Sequence, residues 1–108
     1  MENKKETFDR LLGACEGKVR PAVIADLMSV SEFKEELSKF EGELNIQSLY
    51  ELAEKVRIEF FNKMKDEQFK QEYISEHGVE AWQNWKYRYR FLANGRRRVK
   101  KILETERS

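Results

Sequence analysis

Cysteine, proline and histidine each occur once in this chain of 108 residues, and glycine occurs five times. A single cysteine, Cys15, excludes an intramolecular disulfide and any multi-cysteine zinc site, and a thiol with no partner suits a reducing compartment. The single histidine, His77, directly precedes Gly78 at an expected helix end, where a protonated imidazole complements the dipole. No second histidine is present to activate Cys15 as a nucleophile. The glycines at 13, 17, 42, 78 and 95 are scattered singly, so there is no glycine-rich phosphate loop. No apolar run approaches the roughly 18 residues of a membrane-spanning helix, and the opening "MENKKETFDR" lacks the apolar stretch of a secretory signal. Acidic residues are plentiful but unpatterned. Glu32, Glu36 and Glu43 on one helical side are explained by solvation more cheaply than by a metal cage. The expectation is a cytoplasmic, non-enzymatic protein with no catalytic residues, no metal, no cofactor and no membrane contact.

Charge and helical spacing are what the sequence does have. Charged residues make up 38% of the chain, well above the roughly 25% usual in globular proteins. The net charge of +1 hides a division. Residues 1–78 carry 12 basic and 17 acidic side chains, whereas residues 79–108 carry 9 basic and 3 acidic. Such asymmetry points either to an acidic partner or to attraction between the two parts of the chain.

No segment alternates apolar and polar residues long enough for a strand, while helical spacing recurs throughout. A first helix over 3–14 turns Phe8, Leu11 and Leu12 inward. Pro21 suits the first turn of a short helix using Val23, Ile24, Leu27 and Met28. Ser29 or Ser31 is expected to cap a helix carrying Phe33, Leu37 and Phe40, with Gly42 as its stop. Asn45, or Ser48 with Glu51 in capping-box spacing, starts the longest interior helix. Its stripe is Ile46, Leu49, Ala53, Val56, Phe60 and Met64; Leu52, Ile58 and Phe61 widen it, which predicts a central helix. Asp66 interrupts or caps before a short face of Phe69, Tyr73 and Ile74, and Gly78 stops that segment. A final helix runs from Val79 to about residue 105. The fold class expected is all-α: one domain over 1–108, a compact bundle of four to six helices with a long basic C-terminal helix.

The final helix carries the sharpest signal. "WKYRYRFLANGRRRVKK", Trp85 to Lys101, holds eight lysines and arginines with no acidic residue between them. At a helical repeat Trp85, Tyr89, Leu92, Val99 and Leu103 form a near-heptad seam, with Trp82 just before it. Lys86, Arg90, Arg97, Lys100 and Lys101 gather on the opposite side. This separation requires the helix to pass unbroken through Asn94–Gly95, a pair that also suits a turn.

Five aligned cations predict binding to nucleic acid or to an acidic protein, with Arg88, Arg96 and Arg98 as secondary contacts. Tyr87 and Phe91 lie off the seam, where exposed rings stack on unpaired bases. The bland counterpart is a solvated helix face, neutralised in part by Glu32, Glu35, Glu36, Glu41 and Glu43. The other functional reading is a helical interaction subunit without nucleic-acid contact, forming a homodimer if the seam extends between chains. "VIADLMSVSEFKEEL" is similar in part to a DNA-reading helix-turn-helix. The match fails where the second helix needs apolar residues, since those positions hold Glu35 and Ser38, and phosphates repel its glutamates.

Overall fold

Most helix boundaries fall where local backbone chemistry favours one. In the computed structural model, which describes residues 4–107 and side chains from Glu6 to Glu106, α1 spans Lys4–Ala14. It ends in a Schellman motif: the Gly17 N–H donates to Leu12 O at 3.4 Å and the Glu16 N–H to Gly13 O at 3.0 Å. That closure puts Glu16 at φ 56° and Gly17 at φ 73°. Helix α2, Pro21–Met28, begins on the proline whose missing N–H has no intrahelical partner to lose.

Helix α3, Ser31–Lys39, differs from expectation at its start. Neither serine caps it. Val30 precedes the helix in extended conformation without a side-chain hydrogen bond. The Ser29 hydroxyl donates back to Asp26 O at 2.6 Å, and the Ser31 hydroxyl to the Glu32 carboxylate at 2.8 Å. Val30 is instead fully buried, so apolar burial at this corner outweighs the capping bond.

Helix α4, Ile46–Lys65, opens with a reciprocal cap. The Ser48 N–H donates to Asn45 Oδ1 at 2.9 Å and the Asn45 N–H donates to Ser48 Oγ at 2.9 Å. Asn45 is thus the cap, and Ser48 rather than Glu51 completes the box. Asp66 both terminates α4 and caps α5, Glu67–His77, its Oδ1 accepting from the Phe69 N–H at 3.1 Å. Gly78, at φ 94°, then turns the chain into α6, Val79–Arg107.

The result is an all-α architecture of six helices with a long C-terminal one, and no strand among the described residues. Helix α6 packs chiefly along α4, then α2 and α5, while α1 lies on α2 and α3 bridges α2 and α4. Its 29 residues make a rod of about 43 Å, matching the longest dimension of 44 Å. That rod raises the radius of gyration to 14.9 Å, against about 13 Å for a compact chain of this length.

One contiguous core joins Leu11, Ile24 and Leu27 to Phe33, Leu49, Val56 and Phe60, and α6 closes it with Trp82, Trp85, Leu92 and Val99. Trp85 stacks on Phe60 with ring centroids 4.6 Å apart, and Phe69 and Tyr73 tilt against it at 5.5 and 5.6 Å. Such pairs add about 1 kcal/mol each beyond their buried area. Ile58 and Phe61 depart from the expected wide stripe of α4: they remain 44% and 41% exposed. Phe61 instead stacks on the Tyr89 rim at 6.2 Å, under the Lys65 ammonium at 4.8 Å.

Candidate nucleic-acid interface

The interface candidate depends first on α6 being one helix, and it is continuous through Gly95. The reason is steric. A Cβ built on Gly95 would lie 2.7 Å from Leu27 Cδ2 and 2.8 Å from Leu27 Cγ. Glycine here lets α2 approach closely, and the roughly 1 kcal/mol helix cost of glycine is set against a tight α2–α6 contact.

With the helix unbroken, the seam and the cations separate. Trp85, Leu92 and Val99 are buried and Tyr89 and Leu103 are half-buried against the chain's own helices. The seam is therefore occupied internally, which removes it as a surface for a second chain. Lys86, Arg90, Arg97, Lys100 and Lys101 are all exposed and fall within an arc of about 100° centred well away from the seam. Among the described residues, Lys100 forms one long ion pair, 3.8 Å to Glu104, and Arg90 lies 5.9 Å from the Tyr87 ring. Lys86, Arg97 and Lys101 have no carboxylate partner among the described residues.

The glutamates of the acidic portion go elsewhere. Glu36 pairs with Lys55 at 3.0 Å and Glu35 with Lys39 at 3.3 Å. Glu32 takes Arg88 at 2.5 Å, tying α3 to α6, while the Arg88 guanidinium covers Trp85 at 5.0 Å and Phe60 at 5.3 Å. Arg88 is a structural strut, not an open contact.

Arg96 is engaged more completely. Glu54 Oε1 accepts from Arg57 Nε at 2.7 Å, and Glu54 Oε2 accepts from Arg96 Nε at 2.7 Å and from the Tyr50 hydroxyl at 3.0 Å. A second nitrogen of each guanidinium approaches the same oxygen, Arg57 Nη2 at 2.5 Å from Oε1 and Arg96 Nη2 at 2.6 Å from Oε2. Charge-assisted hydrogen bonds of this kind are short and stronger than neutral ones. Partial burial pushes the Glu54 carboxyl up, but hydrogen bonds from Arg57, Arg96 and Tyr50 outweigh it and leave the carboxyl below its ordinary value. Arg98, the third secondary candidate, is exposed and without a carboxylate partner among the described residues.

The chemistry-bearing singletons lie apart from this surface. Cys15 is buried, and burial raises its thiol pKa, the opposite of an activated thiolate. His77 ends α5 with its ring 4.6 Å from Tyr73. Among the described residues no group of histidine, cysteine and carboxylate side chains is arranged to hold a metal, and no helix is long and apolar enough to cross a membrane. Two residues that sequence inspection passed over, Lys18 and Arg20, stand beside the last turns of α6. Their separation from α6 along the chain left no local signal. No family model matches this chain, and neither a curated protein nor a solved structure matches it significantly.

Proposed function

We propose that this is a non-enzymatic cytoplasmic accessory protein that binds nucleic acid through the outer face of α6. The observation that carries the reading is the division of labour among its cations. Arg88 and Arg96 are held by Glu32 and Glu54, whereas Lys86, Arg90, Arg97 and Lys101 face outward without an acidic partner among the described residues. A chain needing only internal neutralisation has exposed acids in Glu41 and Glu43, yet these cations do not turn to them. Each cation brought to a phosphate releases condensed counterions, so affinity rests on the backbone and carries no base preference.

The test is fluorescence anisotropy of labelled single- and double-stranded DNA and RNA at low and moderate salt. The expected result is binding that weakens steeply as salt rises. Binding that is micromolar or weaker and indifferent to salt would overturn the reading, and would leave the helical interaction subunit as its successor.

A further inference from the structure

A groove of about 520 Å³ lies between the α1–α2 connection, the first turn of α2 and the last turns of α6. Val23 and Ile102 give it apolar lining, and the cations of Lys18, Arg20, Arg98 and Lys101, with the carboxylate of Glu106, surround that lining. Lys18 is engaged by Glu106 at 2.7 Å. Arg20, Arg98 and Lys101 have no carboxylate partner among the described residues. We infer that this groove seats an unpaired nucleotide, so that the partner is single-stranded; the inference rests on the nucleic-acid reading above and specifies its substrate class.

Three observations lead there. The volume falls within the range of small-molecule sites, which combine apolar walls with a few placed polar groups. Arg20 stands at the N-cap of α2 with no capping hydrogen bond. That position favours serine, threonine, aspartate or asparagine, and a cation there opposes the helix dipole. Departures from local rules concentrate at functional or strained sites, and Arg20 gains no ion pair among the described residues in return. Arg20 and the α2 N-terminus together concentrate positive potential at one end of an apolar trough, which matches a phosphate joined to a flat base.

The third observation favours a single strand over a duplex. Positions 87, 91, 94, 98, 101 and 105 recur at steps of four and three, so they form one line along α6. On that line Tyr87 and Phe91 are 56% and 43% exposed, and Arg98, Lys101 and Thr105 then enter the groove. Tyr87 to Thr105 spans about 27 Å of helix. Exposed rings and an arginine-flanked apolar trough interact with base faces, which a duplex keeps stacked inside. A strand lying along this line places bases on the two rings and one nucleotide in the groove.

The test measures binding of fluorescein-labelled oligothymidine of about 12 nucleotides, and of the matching duplex, to wild type, T105L, R98A and the double variant K86A/R97A. Thr105 is exposed, so leucine there intrudes on the groove without altering charge or adding a ring on which a base could stack; thermal unfolding verifies that the fold is kept. The expected result is a preference for the single strand of about tenfold in wild type, reduced toward parity in T105L with duplex affinity unchanged. R98A is expected to weaken the single strand more than the duplex, and K86A/R97A to weaken both alike. Equal binding of single strand by wild type, T105L and R98A, with K86A/R97A still weakening both probes, would overturn the groove assignment while leaving nucleic-acid binding intact. Absence of binding by wild type to either probe would overturn both.

Discussion

Gly95 and Leu27 touch as closely as two helices allow: the glycine hydrogen occupies the place where a methyl would sit 2.7 Å from Leu27 Cδ2. Leu27 is fully buried, so its side chain can give way only by displacing other core residues. Gly95→Ala gains about 1 kcal/mol of helix propensity but overpacks a core, at a cost of about 2 kcal/mol. The expected net is a destabilisation of about 1 kcal/mol in urea unfolding. In an L27A background the same substitution is expected to stabilise, because the obstructing side chain is gone. A double-mutant cycle reads the change of sign.

Glu54 predicts acid lability. Its folded carboxyl pKa lies below the ordinary 4.5, so the ionised form is favoured by folding. This contribution is complete well above 4.5 and is lost as pH falls through the lowered folded value. Glu54→Gln is expected to cost about 2 kcal/mol at neutral pH, since Arg57 and Arg96 lose a charged acceptor. Denaturant titrations from neutral pH to below 4.5 are expected to show wild type and variant converging.

The α1 terminus predicts a gain. Glu16 occupies the left-handed position of a Schellman motif at φ 56°, where an L residue with a side chain costs roughly 1–2 kcal/mol. Glu16→Gly relieves that strain, offset in part by the larger entropy of the unfolded chain. A net stabilisation of about 0.5–1 kcal/mol is expected. Glycine at 17, already present at φ 73°, serves as the control: G17A is expected to destabilise.

The cations of α6 predict two separable phenotypes. Removing Lys86 or Arg97 is expected to lower the slope of log affinity against log salt by about 1 each, with unfolding midpoints unchanged. Removing Arg96 is expected to lower stability by about 1–2 kcal/mol, because the part-buried Glu54 loses one of its two guanidinium partners, and removing Arg88 by about 1 kcal/mol, since its pair with Glu32 is partly solvated. Anisotropy and thermal unfolding on the same four variants separate the sets.

Much of this architecture could be read from local signals. Pro21, Asn45, Asp66 and Gly78 each mark a boundary by an interaction spanning a few residues, and the Trp85–Val99 seam keeps its phase by helical repeat alone. What escaped is relational. Arg96 and Arg97 are adjacent and chemically identical, yet one meets Glu54 across α4 and the other meets solvent. Ile58 and Phe61 are as apolar as their buried neighbours, but α4 has more apolar surface than its neighbours cover. The capping capacity of Ser29 and Ser31 was overridden by burial of Val30, a competition between a local hydrogen bond and a distant core.

Because α6 supplies Trp82, Trp85, Leu92 and Val99 to a core that every earlier helix lines or packs against, the order of synthesis matters. Without α6, the helices of residues 4–78 lack the rod that shelters Leu27, Val56 and Phe60. A chain that has not yet formed α6 leaves those apolar faces open, the kind of surface through which partly folded chains clump.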